Sequence, residues 1–283
     1  MANPDTPTVA ERLGYGADAK LLIVNCDDLG SSASANRAAQ AALATGMATS
    51  STLMVPCPWA LDGVDKAAAG GVGVHLTLTC EYPGYRWRAL TGAPSLHDAQ
   101  GYMPTTTQAV WAKADLEDVR AECTAQIDQA LVWGVDVTHL DAHMGTMQID
   151  PRYFALFVEL AAEYDLPLRM FGSGAERRLG FPGRSQAADR GLVFPDHLLT
   201  TWGQPAKETF AGILAGLRPG VTEVYLHPVE DGPELRGYDP DHPQIRVDDL
   251  ACLTDPELPA LVAASGAHLI SFAPLRDLQR ARA

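Results

Sequence analysis

The chain has 283 residues, 47% of them hydrophobic and 20% charged, which is enough apolar material for a large core and too much for a disordered chain. Its formal charge is 21 − 35 = −14, so its surface repels nucleic acid and anionic lipid, and neither is expected as a partner. No apolar run is long enough to span a bilayer, and residues 1–20 show no basic-then-apolar leader. The five scattered cysteines contain no CxxC pair and read as reduced thiols of a cytoplasmic protein.

Taken in order, LLIVNCDD at 21–28 is the nearly continuous apolar run of a strand buried on both faces. The Ala-rich stretch 33–45 has apolar positions at helical spacing and runs into Gly46 as a cap. TSSTLMVP at 49–56 predicts a second strand, and 59–69 a helix stopped by Gly70 and Gly71. GVGVHLTLT at 71–79 alternates, with Val72, Val74, Leu76 and Leu78 on one face and His75, Thr77 and Thr79 on the other. Residues 81–110, rich in Pro, Gly and Tyr, predict a long irregular excursion before a helix over 115–133 with an acidic start. Next come a strand at 137–144 (VTHLDAHM), a helix at 152–164 and a short strand at 166–171 (LPLRMF). Residues 172–205 lack a period and predict a loop or lid. A helix at 206–217, a strand at 222–228, a Pro-rich loop at 228–245, a helix at 255–265 and a strand at 268–274 complete the chain.

About seven strands alternating with helices imply right-handed βαβ units and a parallel sheet, and this number closes more naturally into a barrel than an open sheet. No repeat or linker divides the chain, so residues 1–283 are expected to form one domain.

Polar residues fall at the strand ends. Asp27 and Asp28 end the first strand; His75 lies in the third; His139, Asp141 and His143 lie at the fourth; Arg169 and His227 lie in the next two. In a parallel barrel those ends converge on one mouth, where active sites are built. Each residue also has a plainer reading. The Asp pair suits a solvated loop or helix cap, His75 a satisfied interior histidine, His227 a turn before Pro228, and Arg169 a partner for a buried carboxylate. In an extended chain His139, Asp141 and His143 share a face, and Asp141 equally suits an acceptor behind a metal-bound imidazole. One carboxylate plus two imidazoles, with water in the remaining positions, is an open catalytic site for zinc, cobalt, iron, nickel or manganese, with magnesium bound less tightly by imidazole. His97, His197, His242 and His268 read as surface or loop residues.

The blocks LLIVNCDDLGSSASANRAAQAALATGMATSSTLMV, GVGVHLTLT, VTHLDAHMG, YLHPVEDGPEL and LISFAPL occur in this order. They resemble the YdjC-like (ChbG/HpnK) carbohydrate deacetylases over about 13–275. The resemblance implies a deformed (β/α) barrel related to polysaccharide deacetylases, with one divalent metal ion, zinc or else magnesium, manganese, cobalt or nickel. It places the metal ligands at Asp28, His75 and His143, the base at Asp27, the acid at His227 and, more loosely, an arginine orienting the base at Arg169. His139 matches a position that is not usually a ligand, so it stands with Asp141 outside the metal shell. Better-known members continue the fourth block with further histidines, whereas Met144 and Gly145 follow here, which alters the mouth beside the metal.

The implied activity is hydrolysis of an N-acetyl group from an amino sugar or short oligosaccharide, a small-molecule partner. Aromatic loop residues Tyr82, Tyr85, Trp87, Trp202 and Tyr238 suit sugar-stacking walls or ordinary packing. The alternatives are a metal-dependent amide or phosphoester hydrolase on the same barrel, and a non-catalytic sugar-binding relative. Pairing into a homodimer through outer helices is expected by fold analogy alone.

Overall fold

The computed structural model describes residues 7–67 and 70–281. The last two positions of the helix predicted at 59–69 and the first six residues of the chain lie outside them. Seven parallel strands form one sheet: β1 (Lys20–Leu29), β2 (Ser50–Leu53), β3 (Gly71–Leu76), β4 (Val137–Ala142), β5 (His197–Thr200), β6 (Gly220–Leu226) and β7 (Ala267–Leu269). The order β4-β3-β2-β1-β6-β5 curls into a half-barrel with helices packed outside it, so the barrel expectation holds in its deformed form.

β1 is the axis of the fold. Every residue after Lys20 is buried, because β1 has neighbours on both edges and side chains covered on both faces. β6 runs along one edge from Lys20 to Cys26. On the other edge β7 pairs with Lys20, Leu21 and Leu22, while β2 pairs with Asn25, Cys26 and Leu29. β7 and β2 therefore share one edge of β1, with β7 at the bottom of the sheet and β2 above it. Of the strand expected at 268–274, only its first residues pair; a helix, Ala273–Arg280, takes over where Pro274 occupies a first-turn position.

Three further expectations need correction. The segment 166–171 is not a strand: one bridge, Leu140 with Leu168, ties it to β4. Residues 172–205, expected as loop, instead form helices Ser173–Leu179 and Gly183–Asp189 and then β5, which pairs with β6. The number of strands is as expected, but one member differs. The Pro-rich stretch 228–245 also contains helix Pro233–Tyr238, and an unpredicted helix, Pro243–Leu253, follows it.

Local chemistry explains the turns that present the site. The chain leaves β1 through Gly30 at φ +88°, where a Cβ would lie 2.8 Å from the Cα of Ala60. The side chain of Asn36 accepts from the Gly30 N–H, and that of Ser32 caps helix Ala33–Ala44 by accepting from Ala35 N–H. On β3, Gly73 and His75 face the interior, while Val72, Val74 and Leu76 join the apolar layer beneath the helices. All five cysteines are buried and unpaired.

Candidate active site

The upper ends of β1, β3, β4 and β6 open into a cleft of about 890 Å³ whose lining includes Asp27, Asp28, His75, His143, Arg169 and His227. Oδ1 of Asp28 lies 3.5 Å from Nε2 of His75 and 3.3 Å from Nδ1 of His143, and the two ring nitrogens are 3.3 Å apart. A four-coordinate ion about 2.0–2.1 Å from each ligand sets them about 3.3–3.4 Å apart, so this triangle fits a tetrahedral metal.

The opposite atom of each of the three side chains is already engaged. Oδ2 of Asp28 accepts from Arg246 Nη1 at 2.8 Å. Nδ1 of His75 faces Oδ2 of Asp141 at 2.6 Å, and Nε2 of His143 faces both oxygens of Glu81 at 2.9 and 3.1 Å. These outer carboxylates fix ring orientation and tautomer, leaving one free donor atom on each residue aimed at a common point. Asp28 itself sits at φ 63°, a left-handed conformation that costs free energy and turns its carboxylate back over the strand end.

The charges are strongly coupled. Burial opposes charge on His75 and His143, yet Asp141 with Asp28 raises His75 to about 9, and Glu81 with Asp28 raises His143 to about 10. Burial opposes ionisation of Asp28 as well, but the two imidazoles and Arg246 hold its carboxyl well below the usual range. A divalent ion bound by these residues would compete with protons, so its affinity should rise with pH.

Asp27, also buried, points to the other side. Arg169 donates Nη1 to Oδ2 at 2.6 Å and Nη2 to Oδ1 at 2.7 Å, and Asn25 Nδ2 also donates to Oδ1 at 2.7 Å. The same guanidinium reaches Asp141 at 2.6 Å and Glu223 at 2.7 Å and lies over the ring of Tyr225. Asp27, His75 and Asp141 form a second cluster of ligand-type atoms, but its cation is Arg169. Nε2 of His227 is 3.8 Å from Oδ2 of Asp27, its ring packs edge-on against Trp202, and its backbone N–H donates to Asp249. Burial pulls its imidazole below the usual range.

His139 lies away from this group. It stacks on Phe272 with ring centres 3.7 Å apart, bonds Thr138, and is held neutral by burial, which lowers it to about 3. Tyr82, Trp202 and Tyr238 line the cleft, whereas Tyr85 and Trp87 pack behind it. His242, read as a loop residue, stands at the mouth 5.9 Å from Trp202. Sequence reasoning missed Glu81, Glu223, Arg246 and Asp249. Glu223 does carry a signal: it alternates with Tyr225 on β6 and with His227 just past the strand's end, a polar stripe on one face.

The YdjC-like protein family model matches residues 21–264. A carbohydrate deacetylase of Thermus thermophilus is 37% identical, covering 94% of this chain and 97% of its own. A chitooligosaccharide deacetylase of Yersinia enterocolitica is 28% identical, covering 89% of this chain and 98% of its own. Among solved structures, a protein of Enterococcus faecalis V583, provisionally described as cleaving cellobiose phosphate, superposes with a TM-score of 0.81 at 25% identity, covering 91% of this chain and 99% of its own.

Proposed function

We propose that this chain, which belongs to the YdjC-like protein family, is a metal-dependent hydrolase that removes the acetyl group of an N-acetylated amino sugar or short chitooligosaccharide as acetate. The observation that carries this reading is the convergence of Asp28 Oδ1, His75 Nε2 and His143 Nδ1 on one point, with Asp27 and His227 in the same cleft. The deacetylase names of relatives that match nearly end to end support the substrate class.

A divalent ion held by Asp28, His75 and His143, zinc or else magnesium, manganese, cobalt or nickel, would polarise the amide carbonyl and acidify water. Asp27 takes the proton of the attacking water while Arg169 grips both of its oxygens and fixes its direction. His227 gives a proton to the sugar nitrogen as the carbon–nitrogen bond breaks. Because burial makes its imidazole a weak base, it is a strong acid once charged, and Asp27 Oδ2 at 3.8 Å offers a short route for recharging it. Asp141 and Glu81 keep the His75 and His143 rings aimed. A phosphoesterase mechanism with a second metal is disfavoured, because Arg169 already holds the second acidic cluster.

Metal-stripped protein refilled with each of these ions should release equal acetate and free amine from N-acetylglucosamine or N,N′-diacetylchitobiose. Asp27→Asn should lose at least a hundredfold in kcat, the usual scale of a lost general base. Metal-independent release, or full activity in the variant, would overturn the reading.

A further inference from the structure

We propose that the enzyme takes N-acyl groups longer than acetyl and prefers them, seating the chain on an apolar wall of Met144, Ile149, Phe171 and Leu179. The proposal rests on the deacylase reading above and specifies which amide that same site cuts.

The cleft has unlike walls. Around β6, His227, Trp202 and His242 surround the leaving-group side, since the acid must reach the nitrogen. Toward the loop after β3 the wall is polar and bonded within itself: Arg246 donates to Asp28, Asp239 and Tyr82, and Glu81 meets His143. The third wall rises from the end of β4 and the segment after it. Along the sheet, β3, β2 and β1 stand between β4 and β6, so Met144 and Ile149, which follow β4, and His227, which follows β6, belong to different parts of the rim.

Met144 immediately follows the candidate ligand His143 and is 56% exposed; Ile149, on the short helix Thr146–Ile149, is 44% exposed. Both line the cleft, together with Phe171 and Leu179. Met144 is held at φ 55°, a conformation costly for a side chain with a Cβ, so an exposed apolar residue is kept under backbone strain beside the reacting atoms. Apolar surface left open to water at such a place fits an apolar ligand group. With the nitrogen directed to His227 and the polar wall saturated, the acyl substituent is the group left to meet it.

In the reaction, water oxygen joins the acyl carbon, the carbon–nitrogen bond breaks, the nitrogen gains a proton, and a carboxylate of the same chain length departs. The test compares kcat/KM for N-acetyl-, N-propionyl- and N-butyrylglucosamine, read as free amine, in the metal-loaded enzyme. Each methylene should add about three- to fourfold, making butyryl about tenfold better than acetyl. In the double variant Met144→Ser, Ile149→Ser the butyryl-to-acetyl ratio should fall to near one, and a ratio within one preparation does not depend on the fraction folded. A wild-type ratio at or below one overturns the proposal while the deacylase reading stands. So does a ratio that survives the double variant. Cleavage of none of these amides would sink the deacylase reading as well.

Discussion

Arg169 is the cation on which the interior polar network depends, and its replacement by Met tests that network directly. Arg169 is 3% exposed; its guanidinium hydrogen-bonds Asp27 twice and Glu223 once and forms an ion pair with Asp141, all at 2.6–2.7 Å. Met fills a similar volume, so the change isolates charge and hydrogen bonding from cavity formation. Summing three charge-assisted bonds at about 1.5–3 kcal/mol each would overcount, because they share one desolvation cost. The relevant scale is removal of one partner of a buried ion pair, about 3–5 kcal/mol, against a total stability of about 5–15 kcal/mol. At about 2–4 °C per kcal/mol, Arg169→Met should melt about 6–20 °C below the parent. Urea unfolding at pH 8 and pH 5 checks the cause: acid protonates the orphaned carboxylates, so the deficit should shrink at pH 5. A loss below about 1 kcal/mol, or a deficit that grows on acidification, would refute the reasoning.

Burial raises Glu223 to about 7, Arg169 notwithstanding, so the folded chain holds a proton there that the unfolded chain has released above about 4.5. Its contribution to stability is full below about pH 4.5 and lost as pH rises through about 7; Glu223→Gln should flatten that limb in unfolding curves taken from pH 4.5 to 8. His139 has the opposite sign: lowered to about 3, it contributes above the unfolded value of about 6.5 and loses that contribution as pH falls below it. His139→Phe, which keeps the stack on Phe272, should weaken the acid dependence of the melting temperature between pH 6.5 and 4.5. Gly73→Ala would set a Cβ within 2.4–2.7 Å of the His139 ring and should cost about 1–3 kcal/mol by overpacking, with unfolding midpoints as the check.

The strands that carry the site were legible because a parallel strand buried on both faces reads as an apolar run, and an Asp or His at its end breaks that run visibly. Asp27, Asp28, His75, His143, Arg169 and His227 do meet in one cleft. β5 was hidden because His197–Thr200 is only four residues long, amid Gly and Pro. Helix Pro243–Leu253 was hidden for another reason: its buried residues, Arg246, Asp249, Cys252 and Leu253, keep helical spacing, but two are charged and hydropathy does not register them. Their burial follows from partners distant in sequence, Asp28 for Arg246 and the His227 backbone for Asp249. Glu81 was invisible for the same reason, since its meaning lies in His143, sixty-two positions away.

The central claim is that one ion, held by Asp28, His75 and His143, enables amide hydrolysis. The direct measurement is the rate of acetate release from N,N′-diacetylchitobiose as zinc is titrated into metal-free protein, with Asp28→Asn in parallel. The rate should rise linearly and break at one equivalent, and the variant should bind zinc at least tenfold more weakly and gain no activity at that point. A break at two equivalents, or a rate indifferent to metal, would contradict the claim.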